Sequence, residues 1–193
     1  LTVTRSYTPE QVLQSLRLPW SESPYFTPGI PLTLPLIHAT RIASLAGPPT
    51  AVFEDVAARQ EIVSDTGELI WSGATAKQGL VQIDTARSQA LVGFARDQAK
   101  ATRNLALRAT TPFCALTLSS LDDQPIARAR RLLLTATAQV SNTGQRWNAA
   151  RRSLEDWGSP PSQIEVVRGT AILKDLEPAT AVRAEPLDGA GHV

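Results

Sequence analysis

From residue 50 onward, apolar and polar residues alternate with a period of two. Turn-forming residues break the alternation about every ten residues. Successive side chains of a strand point to opposite faces, so this pattern fits strands with one buried side, whereas a helix would repeat every 3.6 residues. The clearest case is Arg130–Val140. Leu132, Leu134, Ala136, Ala138 and Val140 share one face, and Leu133, Thr135, Thr137 and Gln139 share the other. Glu61–Val63 and Glu68–Ser72 flank Asp65-Thr66-Gly67, a strong hairpin turn. Further strands are expected at Thr50–Glu54, Leu80–Asp84, Gln89–Ala95, Thr102–Ala109, Phe113–Leu118, Ile164–Val167, Thr170–Leu173 and Ala181–Pro186, with a second turn at Leu121–Pro125. About nine short strands without intervening helices predict an all-β, antiparallel β-sandwich of the jelly-roll or immunoglobulin-like kind.

Residues 1–49 differ in character, because eight of the 14 prolines lie there. Thr8 is a good N-cap, Pro9 suits a first helical position and Gln11 completes a capping box, so one short helix is expected before Pro19. The stretch after it, from Trp20 through Gly29, cannot form a regular ladder, since proline lacks the donor. Yet Trp20, Tyr25, Phe26, Ile30, Leu32, Leu34 and Leu36 are too apolar for a free linker. The reading is a proline-rich strap over 1–49, packed on the sandwich of residues 50–193 or on a neighbouring domain. The chain has no methionine, not even at position 1, which points to a domain of a larger protein.

Residues 141–162 interrupt the strand rhythm with a connection of 22 residues carrying Trp147 and Trp157. Long connections in a compact domain are usually functional or disordered, and the tryptophans argue against disorder.

The chain offers little for catalysis. It has two histidines, His38 and His192, and one cysteine, Cys114, set in an apolar run where a buried structural thiol is expected. No zinc spacing, nucleophile elbow or phosphate loop is present. Glycoside hydrolysis needs only two carboxylates. The candidate pairs are Asp65 with Glu68, Asp122 with Asp123, and Glu155 with Asp156. The first two sit in tight turns, which do not desolvate an acid, so no catalytic residue is assigned. No cofactor is expected. A structural calcium ion on Asp65 and Glu68 is a weak alternative. A net charge of +1 gives no electrostatic argument for nucleic acid or for a membrane surface, and no apolar run is long enough for a transmembrane helix. Carbohydrate binding is the other chemistry open to a sandwich, because sugar rings stack on aromatic faces while polar groups bond their hydroxyls. Trp147 and Trp157, flanked by Arg146, Asn148 and Glu155, form the candidate platform. The alternative is that these tryptophans anchor the loop, while Trp71, Phe94 and Phe113 are read as core.

An ordered series of segments carries a resemblance. Ser64-Asp65-Thr66-Gly67-Glu68-Leu69-Ile70-Trp71 leads to Gly79-Leu80-Val81-Gln82-Ile83-Asp84-Thr85, then to Arg87-Ser88-Gln89-Ala90-Leu91-Val92-Gly93-Phe94. Ala129 to Ala136, Asn142-Thr143-Gly144 and Val167-Arg168-Gly169-Thr170-Ala171 follow in order. Over residues 50–190 the series resembles the β-sandwich found C-terminal to the TIM-barrel catalytic domain of bacterial glycoside hydrolases of the cellulase-like superfamily. The proline-rich lead resembles the strap that joins barrel to sandwich. The resemblance implies an extracellular or periplasmic, non-catalytic accessory domain that supports a barrel partner carrying the catalytic carboxylates. Two alternatives stand beside it: a carbohydrate-binding module that targets polysaccharide, and a protein-interaction or adhesion sandwich.

Overall fold

The alternation from residue 60 onward becomes two facing sheets. The computed structural model describes residues 1–15, 34–48, 60–73, 78–96, 99–177 and 179–192. In chain order the elements are β1 (Thr2–Ser6), α1 (Pro9–Ser15), α2 (Leu34–Ile37), β2 (Ala39–Ser44), β3 (Glu61–Val63), β4 (Leu69–Ser72), β5 (Leu80–Asp84), β6 (Ser88–Phe94), β7 (Lys100–Ala101), β8 (Leu105–Ala109) and β9 (Phe113–Ser120). A 3-10 turn at Ile126–Arg128 precedes β10 (Leu132–Thr137), β11 (Val140–Thr143), β12 (Arg146–Trp147), β13 (Leu154–Asp156), β14 (Ser159–Ile164) and β15 (Gly169–Leu173). The larger sheet has six antiparallel strands in the order β10-β9-β6-β5-β4-β3, and the smaller has three, β15-β8-β7. The all-β sandwich class therefore holds.

The expected Asp65–Gly67 turn closes the β3–β4 hairpin, with the Gly67 N–H donating to Ser64 O at 2.9 Å. The core lies between the sheets. Leu80, Leu91, Cys114, Leu116 and Leu118 line the inner face of the large sheet, and Leu105, Leu107 and Ala109 of β8 face them. Each fully buried leucine contributes about 1.5–3 kcal/mol. Gly93, next to the last residue of β6, is a glycine for lack of room. Its φ is 140°, and a Cβ there would sit 2.3 Å from Gly79 O. The close approach expected of a glycine inside a strand is thus present.

A polar cluster shares this interior. Gln89 is 1% exposed. Its Oε1 accepts from Thr102 Oγ1 at 2.7 Å and from the Asn104 N–H at 3.0 Å, while its Nε2 donates to Asn104 Oδ1 at 3.0 Å. Asn104 Nδ2 then donates to the carbonyls of Lys174 and Asp175, at 3.2 and 3.1 Å. The cluster ties β6 to the approach to β8 and to the segment after β15. Buried polar groups persist only when satisfied in this way.

Several expectations are corrected. Arg130–Val140 is two strands: the ladder to β9 ends at Thr137, and the backbone then turns away to pair with β14. Leu134 faces Leu118 yet remains 43% exposed, because β10 is an edge strand and three strands cannot cover six. Residues 141–162 are an ordered arm rather than an open loop. Ala181–Pro186 runs without regular structure. Near the N-terminus, β1 and β2 form a parallel pair that the proline-rich reading missed. The capping box itself is present, with Thr8 N–H donating to Gln11 Oε1 at 3.0 Å and Gln11 N–H to Thr8 Oγ1 at 3.3 Å. Leu34–Ile37 forms a helical turn, with Leu34 buried beside Val3. The strand at Thr50–Glu54 and the strap segment from Trp20 to Ile30 lie outside the described residues.

Candidate functional site

The arm is built in two tiers. The first pairs β11 with β14, Val140 opposite Ile164, and the second pairs β12 with β13. The tiers meet at Gly158, whose φ is 68° and whose missing Cβ would lie 2.4 Å from Thr143 O. Only glycine fits there. Around the junction, Asn142 Nδ2 donates to Trp157 O at 3.0 Å, Thr143 Oγ1 donates to Pro161 O at 2.7 Å, and Gly158 N–H donates to Asp156 Oδ1 at 2.9 Å. The arm is thus held by its own side chains.

All five residues proposed for a sugar platform lie on the second tier. Arg146 Nε donates to Glu155 Oε2 at 3.2 Å, an exposed pair. Asn148 does structural work, since its Oδ1 accepts the Arg152 N–H at 2.9 Å and its carbonyl accepts the Arg151 N–H at 2.8 Å. It shapes the turn that closes the hairpin. Trp147 is 41% exposed and Trp157 73%. The register aligns Arg146 with Asp156 and Trp147 with Leu154, with a shift between the two pairs, and Trp157 follows directly on β13. The only ring pair among the described residues is Phe94 with Phe113.

The weak calcium candidates are not brought together with a third ligand. Asp65 directs its carboxylate at His38 Nδ1, at 3.1 Å. Among the described residues no group of three or more His, Cys, Asp or Glu side chains could hold a metal ion. Asp122 is a turn organiser. Its oxygens accept the Arg130 N–H at 2.7 Å, Ser120 Oγ at 3.0 Å and the Gln124 N–H at 3.4 Å, and the Arg130 bond leads in holding its carboxyl low. Cys114 is fully buried, and desolvation pushes its thiol up, with the Glu165 charge adding to it. A groove of about 490 Å³ opens at one end of the sandwich, between Arg103, Asn104, Pro125, Lys174, Asp175 and Glu177. Arg103 is already engaged there, with Nε on Asp84 Oδ1 at 3.0 Å and Nη2 on Asp84 O at 2.9 Å.

The surface that sequence reasoning missed is the outer face of the large sheet. The register places Ile62, Leu69, Trp71, Val81, Ile83, Ala90, Val92, Phe94, Phe113, Ala115 and Leu133 all on this face, opposite to the core. Trp71, Phe94 and Phe113 therefore do not belong to the sandwich core, as expected, but to its back. Phe94 and Phe113 meet edge-to-face there, with centroids 5.4 Å apart. Ile62 and Ala90 on this face are buried, Leu69 is exposed and the other eight are partly buried, and α2 packs against β3 at its edge. A signal existed in the sequence. Ala90-Leu91-Val92 is a continuous apolar run, the mark of a strand with cover on both sides.

No protein-family model, curated protein or solved structure matches the chain.

Proposed function

We propose that this chain is a non-catalytic accessory β-sandwich domain of a polysaccharide-degrading glycoside hydrolase, seated against the enzyme's catalytic barrel through the outer face of its six-stranded sheet. The observation that carries this reading is the apolar outer face. A two-layer sandwich needs one apolar face per sheet, yet this sheet has two. Eight of the eleven apolar residues on it are only partly buried, and soluble monomers rarely leave a contiguous apolar face incompletely covered. The ordered segments from Ser64 to Ala171 supply the identity of the partner, because they resemble sandwiches that follow such barrels. The chemistry would then belong to barrel carboxylates and not to this chain.

The reading is tested by the coding sequence ahead of Leu1. It should encode a (β/α)-type domain with two acidic residues at the C-terminal ends of strands. A reading frame that joins this sandwich to no such domain overturns the proposal.

A further inference from the structure

We infer that the second tier of the arm is a binding site for an anionic polysaccharide, one bearing carboxylates such as those of uronic acids. Four observations converge on one small ribbon. Trp147 and Trp157 present exposed indoles at the two ends of this ribbon's strands, and among the described residues neither pairs with another ring. Flat apolar rings of this kind receive the C–H faces of pyranose units. Directly beyond Trp147, the turn Asn148–Ser153 carries Arg151 and Arg152, both exposed. Neither has a carboxylate partner among the described residues, whereas Arg146 is paired with Glu155 and Asp156 is bound to the Gly158 N–H.

The fourth observation is conformational. Arg151 adopts φ 52°, in the left-handed region where glycine or asparagine is the inexpensive choice. The turn bonds, Arg151 N–H to Asn148 O and Arg152 N–H to Asn148 Oδ1, are made by the backbone and would be made equally by glycine. The arginine side chain is thus kept where backbone preference argues against it. A ligand role for the guanidinium accounts for that. Guanidinium forks match carboxylates, and indoles match sugar rings, so the ligand that uses both is an acidic glycan. The net charge of the whole chain is only +1, so the attraction is local to this turn. None of the outer-face residues takes part. Failure of this inference therefore leaves the docking reading standing, and the converse holds too.

Affinity electrophoresis of the full 193-residue chain tests it. Native gels would contain polygalacturonate, a neutral β-glucan or dextran sulfate. Polygalacturonate should retard the chain more than the neutral glucan, and added salt should weaken the retardation. Trp157→Ala should reduce the apparent affinity about tenfold, as loss of an anchoring aromatic does. The double variant Arg151→Gly, Arg152→Ala should reduce it comparably while keeping the turn, since glycine accepts its φ. Circular dichroism would establish that both variants are folded. Three outcomes overturn the inference: no retardation by polygalacturonate, equal retardation by the neutral glucan, or retardation by both polyanions that Trp157→Ala leaves unchanged, which is simple ion exchange.

Discussion

Gln89 shows what single residues contribute here and how little of it can be read locally. It looks like a polar residue at a strand start, but its partners Thr102 and Asn104 lie 13 and 15 positions away and meet it only because β8 crosses β6. Gln89→Leu would leave the Asn104 N–H, Asn104 Oδ1 and Thr102 Oγ1 without this partner inside the core. The expected cost is about 3–5 kcal/mol, measured as a lower urea midpoint. Cys114 was legible, since an apolar run around a lone cysteine implies burial. Its thiol should stay unreactive toward Ellman's reagent in native protein and react fully in denaturant. Asp122 makes the pH dependence concrete. Its folded pKa is depressed, chiefly by the Arg130 N–H, so its contribution is present above the unfolded value near ~3.9 and disappears as pH falls through the lower folded value. Asp122→Asn should lower the melting temperature at pH 7 and narrow the gap between variant and wild type near pH 3.

Among the elements, alternation located most strands of the sandwich, because period two is a local property. It could not show where a strand leaves its sheet. Nothing in Thr137-Ala138-Gln139-Val140 breaks the pattern, yet the backbone changes partner from β9 to β14 within it. Nor could alternation reveal the outer face, because a strand covered on both sides loses its alternation and reads as uniformly apolar. The arm was visible only as a long gap containing tryptophans. Its order comes from Asn142, Thr143 and Gly158, whose contacts run between strands. Gly158→Ala should therefore loosen the arm and spare the sandwich. Hydrogen exchange should speed up at β11–β14 amides while β6 and β9 stay protected. Gly93→Ala should instead strike the sandwich itself, lowering stability by about 3 kcal/mol or more, because the clash is with the Gly79 backbone.

At the scale of the whole molecule, six strands face three, and the larger sheet is apolar on both sides. The inner face explains why the chain folds. The outer face is what the proposed partner domain would cover. Val92 sits in the middle of that outer face, opposite Val81 and Ala115, which makes it the most direct probe. A lysine there can lay its stem along the sheet and keep its ammonium in water if the face is solvated, at a cost of about 1 kcal/mol or less. Under a docked partner the same ammonium is buried without a counter-charge, at several kcal/mol. The deciding measurement is a pair of thermal melts of wild type and Val92→Lys, one for the isolated chain and one for the chain joined to the proposed barrel domain. The account predicts a small shift in the isolated chain. In the joined protein it predicts loss of a shared transition, with the sandwich melting separately and earlier. Equal shifts in both settings, or a sandwich whose melting is indifferent to the barrel, would contradict it.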